Sequence, residues 1–110
     1  MNEATVQANL KLLASQEGWR LWRNNVGVMI DSRGIPVRYG LANESPAVNM
    51  VIKSADLIGI KPGGQFVSRE CKASGWKFNP NNPRDVAQQR WMDLINMMGG
   101  DAAISTGELK

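Results

Sequence analysis

The sequence contains no histidine, one cysteine, one tyrosine and two phenylalanines. Without an imidazole there is no Ser-His-Asp or Cys-His hydrolase and no histidine-ligated zinc, and the lone Cys71 excludes a thiolate zinc cluster and an internal disulfide. Lying between Glu70 and Lys72 in a strand-like stretch, Cys71 reads as a small buried side chain rather than a nucleophile. Any metal chemistry must then rest on oxygen ligands, which favours Mg²⁺ or Mn²⁺. No apolar run approaches the roughly 20 residues that a membrane-spanning helix needs, and the opening MNEATVQANL lacks the basic-then-apolar layout of a signal peptide. The expectation is a cytoplasmic protein with no membrane partner.

What is present fits one folded domain. The 110 residues allow one modest core and not two, so residues 1–110 read as a single unit. A hydrophobic share of 43% and a charged share of 21% are those of an ordinary globular chain rather than a disordered one. The net charge of +3 suits a polyanionic partner but does not specify one.

The spacing predicts a helix over residues 2–17, with Asn2 as cap, Val6, Leu10 and Leu13 on one face, and Gly18 at its end. Trp19 to Trp22 alternates as a short strand. Residues 26–40 predict a hairpin turning at Asp31-Ser32-Arg33-Gly34, and residues 41–50 have no period and read as a loop. Ala55 to Ile60 and Phe66 to Lys72 are strand-like and flank the turn Lys61-Pro62-Gly63-Gly64-Gln65. After a polar loop, Asn82, Pro83 and Asp85 give a helix start. Ala87, Trp91, Leu94, Ile95 and Met98 continue that helix at helical spacing until Gly99-Gly100, and Ala102 to Ser105 suggests a final strand.

A hairpin centred on Gly63 places Asp56 opposite Glu70. Opposed residues of an antiparallel pair share a face, with β-carbons about 5 Å apart, so the two carboxylates converge; period-two alternation adds Lys72 to that face. Like charges so placed destabilise a sheet unless something compensates, and a divalent cation would do so. The backbone carbonyl of Cys71 is positioned as a further oxygen ligand. The spacing is equally compatible with two solvated acids at a strand edge, neutralised by Lys72.

These residues carry a resemblance. Ser54-Ala55-Asp56-Leu57-Ile58-Gly59, Gly63-Gly64, Phe66-Val67, Glu70-Cys71-Lys72, then Gln88, Trp91 and Gly99-Gly100 resemble the VRR-NUC domain of the PD-(D/E)XK nuclease superfamily. The similarity extends upstream to Arg23-Asn24-Asn25-Val26-Gly27 and Arg38-Tyr39-Gly40, and so covers nearly the whole chain. It implies an α/β (α+β) restriction-endonuclease-like fold with a central mixed sheet flanked by helices, and Mg²⁺-dependent phosphodiester cleavage with Mn²⁺ able to substitute. By the same resemblance, Asp56, Glu70 and the Cys71 carbonyl hold the metal, Lys72 is the signature lysine, and Gln88 is the glutamine of the following helix, with Gln89 as the alternative register. Glu3 matches the first-helix acid that can approach the metal, with Gln7 one turn further on. Two departures are Ala55 in place of the signature proline and Ala87 where many relatives carry an acid. Neither removes a presumed ligand.

Arg23, Asn24, Asn25, Arg38 and Tyr39 are candidate nucleic-acid contacts, although loop asparagines are also routine turn formers. Arg33, Lys53, Lys61, Lys77 and Arg84 either line a DNA path or are solvated charges, and Trp76 either stacks on a base or packs on the sheet edge. The expected function is a metal-dependent DNA endonuclease of a bacterium or its phage, selective for branched or junction DNA. As in the small stand-alone members of the family, it is expected to work as a homodimer. The alternatives are a non-catalytic nucleic-acid-binding module that keeps the nuclease fold and a small interaction protein.

Overall fold

The computed structural model describes residues 1–109. Asn2 caps the first helix, α1 (Glu3–Gln16), through its side-chain oxygen, which accepts the Thr5 N–H at 2.8 Å. The chain continues through β1 (Arg20–Arg23), β2 (Gly27–Ile30), β3 (Pro36–Tyr39), α2 (Pro46–Val51), β4 (Leu57–Ile60), β5 (Phe66–Cys71), α3 (Pro83–Met97) and β6 (Asp101–Ser105). The result is a mixed α/β fold: a four-stranded sheet in the order β1-β4-β5-β6, and a separate two-stranded hairpin of β2 and β3. In the larger sheet β1, β4 and β5 are antiparallel and β6 lies parallel to β5. The parallel pairing follows from the helix between them, since a crossover connection returns the chain in the same direction.

Each face of the sheet is covered. Val6, Leu10 and Ala14 of α1 pack on Leu21, Leu57, Val67 and Cys71, whereas Trp91 and Met92 of α3 pack with Ala55 and Ala102 on the other side. Because β5 is sandwiched, Val67 through Cys71 are all buried, and its polar residues must find partners inside. Ser68 does so by accepting from the Trp91 indole N–H at 2.9 Å and donating to the Leu57 carbonyl at 3.3 Å. Gly59 in β4 lies under β1 so closely that a Cβ there would meet the Arg20 carbonyl oxygen at 1.7 Å.

Two sequence expectations change. Residues 46–51 form a helix rather than a loop: the Ser45 side chain accepts the Val48 N–H and Pro46 starts the first turn, the same cap-then-proline signal as Asn82-Pro83. Along α3 it is Met92 that is buried, while Met98 is exposed beyond the helix end. No helix among the described residues is long and apolar enough to cross a membrane.

Candidate active site

The β4–β5 register pairs Leu57 with Arg69, Ile58 with Ser68, Gly59 with Val67 and Ile60 with Phe66. The turn fixes it: the Lys61 N–H reaches the Gln65 carbonyl at 3.0 Å, and Gly63 and Gly64 both adopt positive φ, which glycine tolerates without a Cβ penalty. One step beyond the last paired residues, Asp56 comes opposite Glu70. The ladder bond is replaced there by the Asp56 carboxylate, which accepts the Cys71 N–H at 2.9 Å. The N–H and C=O of one strand residue leave on the same edge, so the Cys71 carbonyl also points toward Asp56.

Glu70 is 3% exposed. Burial, then a hydrogen bond shared with Asp56 and the charge of Asp56, push its pKa up to about 9, against a smaller opposing pull from Lys72 and Arg84. Glu70 therefore keeps its proton at neutral pH. The buried Cys71 thiol is pushed up to about 12, chiefly by burial and then by Asp56, Glu70 and Glu3, so it is a core side chain and no nucleophile.

Asp56 and Glu70 open into a cavity of about 390 Å³, also lined by Gln7, Gln88, Arg23, Arg38, Lys53 and Arg84. Gln88 is 2% exposed, and its side-chain oxygen has no hydrogen-bond partner. A buried acceptor left open costs about 1–3 kcal/mol, which a cation, a water or a substrate donor in the cavity would relieve. Two carboxylates, a strand carbonyl and an open amide oxygen make an all-oxygen donor set that suits a hard divalent ion such as Mg²⁺. Lys72, one residue past β5, is near enough for its charge to act on Glu70 but does not line the cavity; its ammonium lies 5.4 Å from the centre of the Trp76 ring, so Trp76 packs over the lysine.

Other candidates sort differently. Gln89 bonds Asp93 at 3.0 Å on the outside of α3, which leaves the inward register to Gln88. Glu3 is exposed and does not line the cavity, and among the described residues no three His, Cys, Asp or Glu side chains gather where they could hold a metal. Gln7, one turn along α1, reaches the cavity instead. Asn24 lines the cavity, but its amide is committed: it donates to the Ser54 hydroxyl and the Ala55 carbonyl, both at 2.8 Å, and accepts from the Leu41 N–H. Together with the Asn24 N–H on the Asp56 carbonyl at 2.7 Å, these bonds aim the segment that carries Asp56. Asn25 and Arg23 remain on the cavity wall, whereas Tyr39 is exposed and does not line it. Arg33 pairs with Asp31, and Lys61 pairs with Asp101.

Two residues complete the arrangement, Asn43, which the sequence did not single out, and Asp85, which it marked only as part of a helix start. Asn43 is buried and grips the base of the small hairpin, donating to the Gly27 and Tyr39 carbonyls, both at 2.9 Å, while it accepts from Arg38. Asp85 is buried and accepts the Asn79 N–H at 3.0 Å, anchoring the loop that follows Lys72. No spacing rule distinguishes these two from ordinary turn and first-turn residues. Comparison with protein-family models, with curated proteins and with solved structures gives no match.

The raised Glu70 pKa sets a pH dependence. The unfolded chain releases this proton near the ordinary glutamate value of about 4.5, whereas the folded chain keeps it to about 9. The contribution to stability is thus complete below about pH 4.5 and is lost as pH rises toward 9. Metal-free protein is expected to lose more than about 5 °C of Tm between pH 5 and pH 9, and the Tm gain from millimolar Mg²⁺ is expected to grow over the same range. Calorimetry across that range checks both, with Glu70→Gln flattening each dependence.

Proposed function

We propose that this protein is a Mg²⁺-dependent nuclease that hydrolyses DNA phosphodiester bonds, with Asp56, Glu70, Lys72 and Gln88 as its catalytic residues. The observation that carries the reading is the convergence of the buried Glu70 carboxyl, the half-buried Asp56 carboxylate opposite it and an unpartnered glutamine oxygen on a cavity walled by cations. A solvated pair of surface acids would show neither the burial nor the open acceptor. The proposal extends to a restriction-endonuclease-like architecture, with which the mixed sheet and its flanking helices agree, and to the VRR-NUC likeness, which rests on the motif residues alone.

Asp56, Glu70 and the Cys71 carbonyl would hold the ion, with Gln88 beside them. Bound there, the ion would supply Lewis-acid polarisation of the scissile phosphate and acidify water at neutral pH. Holding it would require Glu70 to give its proton to solvent. The Lys72 ammonium, held against Trp76, stabilises charge developing on the phosphate oxygens or orients the attacking water. The Arg23 side of the cavity holds the DNA strand.

The test is incubation with labelled duplex, flap and four-way-junction DNA in Mg²⁺, Mn²⁺ or EDTA. Cleavage is expected with either metal, preferentially on the branched substrates, and none in EDTA; Lys72→Ala is expected to lower the rate by about 10²-fold or more. Products undiminished in Lys72→Ala contradict its role. DNA binding with no cleavage in any metal would instead assign the cavity to a non-catalytic nucleic-acid-binding module.

A symmetric homodimer belongs to the same proposal. Val28, Met29, Ile30, Ile35, Val37 and Tyr39 all expose apolar surface on the β2–β3 hairpin, more than an isolated small hairpin normally leaves open to water. Two-fold pairing through a self-complementary patch would cover it and set two active sites for two strands. Light scattering is expected to give twice the 12.1 kDa chain mass; a stable monomer at micromolar concentration removes the dimer.

A further inference from the structure

Arg38, Lys53 and Arg84 reach one wall of the cavity from three parts of the chain: β3, the segment after α2, and the first turn of α3. Two of the three are held in place by hydrogen bonds, and Arg84 is carried on the helix. The Lys53 backbone N–H donates to the Ala87 carbonyl of α3 at 3.1 Å, and its ammonium donates to the Asn49 side chain. Arg38 is held by two bonds to Asn43, from Nε at 2.8 Å and from Nη2 at 2.6 Å.

None of the three has an acid partner. Ion pairs among the described residues are confined to Arg33–Asp31, Lys61–Asp101 and Arg69–Asp101. The three cations nevertheless sense one another: partial burial, then the charges of Arg84 and Arg38, lower the pKa of the Lys53 ammonium. Arg84 also lies close enough to act on Glu70, so the basic wall adjoins the carboxylate pair. Three like charges gathered on one wall repel unless an anion joins them. A guanidinium fork and an ammonium point charge are the groups that recognise phosphate.

We infer that Arg38, Lys53 and Arg84 form a phosphate-binding subsite, separate from the Asp56–Glu70 pair, that takes a phosphate group of the strand other than the one being cleaved. Only the identity of the strand rests on the nuclease reading; the anion site stands on the unpaired cations. Phosphate held there fixes the register of the strand before the ion and Lys72 act on its neighbour, and this binding requires no metal.

The full chain, kept in EDTA, is titrated with inorganic phosphate while arginine side-chain and backbone amide resonances are followed. Saturable shifts are expected at Arg38 and Arg84, with Kd raised roughly tenfold by Arg84→Gln or Lys53→Gln and unchanged by Arg33→Gln. Arg84 is exposed on the first turn of α3, so its substitution leaves the fold intact if Lys53→Gln does not. Asp56→Asn is expected to retain or strengthen the binding, because it removes a negative neighbour. Short single strands with and without a terminal phosphate then identify the source. Tighter binding of the phosphorylated strand assigns the site to a strand end, and equal binding assigns it to an internal phosphodiester. Absence of saturable shifts, wild-type affinity in both Lys53 and Arg84 variants, or loss of binding in Asp56→Asn overturns the inference. Cleavage that survives such a result leaves the nuclease reading in place, whereas phosphate binding without cleavage in Mg²⁺ or Mn²⁺ removes that reading and keeps the subsite.

Discussion

Glu70→Gln is expected to lower Mg²⁺-dependent DNA cleavage by about 10³-fold or more while leaving the metal-free protein at least as stable as wild type above neutral pH. The two effects have one cause. Glu70 is buried against Asp56 and keeps its proton to about pH 9, so the metal-free fold carries a carboxyl that resists ionisation where the unfolded chain ionises freely. Glutamine has nearly the same shape and no charge to bury, which removes that penalty; it also takes away one anionic ligand of the proposed metal site. Opposite movements of activity and stability are the mark of a site shaped for chemistry at the expense of the fold. Parallel rate measurements and pH-dependent thermal unfolding check the pair of effects. A variant that cuts DNA at the wild-type rate, or one that melts well below wild type at pH 8, contradicts the account.

The second large effect concerns the opposite face of β5. Arg69 is 0% exposed and donates to the Ser68 carbonyl, the Asp101 carbonyl and the Asp101 carboxylate. Asp101 also pairs with Lys61, whose ammonium lies 4.2 Å from the centre of the Trp19 ring. Although burial pushes the Asp101 carboxyl up, the hydrogen bonds from Lys61 and Arg69 outweigh it and hold the pKa below the usual value. Asp101→Ala leaves the buried guanidinium without its anion, at a cost of about 3 kcal/mol and a Tm loss of more than about 10 °C. Replacing both partners, as Arg69→Met with Asp101→Leu, is expected to be milder than Asp101→Ala alone, because no buried charge is stranded. If Asp101→Ala melts within about 2 °C of wild type, the pair does not tie β6 to β5 as described.

How far these features were legible in the sequence depends on how local their causes are. The Asp56–Glu70 apposition was readable because a five-residue turn, Lys61 to Gln65, sets the β4–β5 register from within the hairpin. Helices α1 and α3 were readable from the caps Asn2 and Asn82 and from their apolar faces. α2 escaped although Ser45-Pro46 carries the same cap signal, because six residues are too few for a period to show. Arg69 carries no sequence mark of burial. Alternation directs it away from Glu70, but its burial is decided by Asp101, reached only after the whole of α3. Asn24 looked like a phosphate contact because its amide can donate and accept, yet residues 41, 54 and 55 claim both functions. The gathering of Arg38, Lys53 and Arg84 was equally hidden, since three elements distant in sequence must meet to produce it.

The most direct test of the site is calorimetric titration of Mn²⁺ into wild-type protein and Glu70→Gln at pH 7, repeated in buffers of different ionisation enthalpy. Wild type is expected to bind saturably and to release about one proton per ion, the proton that Glu70 keeps in the metal-free fold, and Glu70→Gln is expected to bind far more weakly with no such release. No saturable binding at millimolar metal, or identical binding in the two proteins, would show that these carboxylates are not a metal centre.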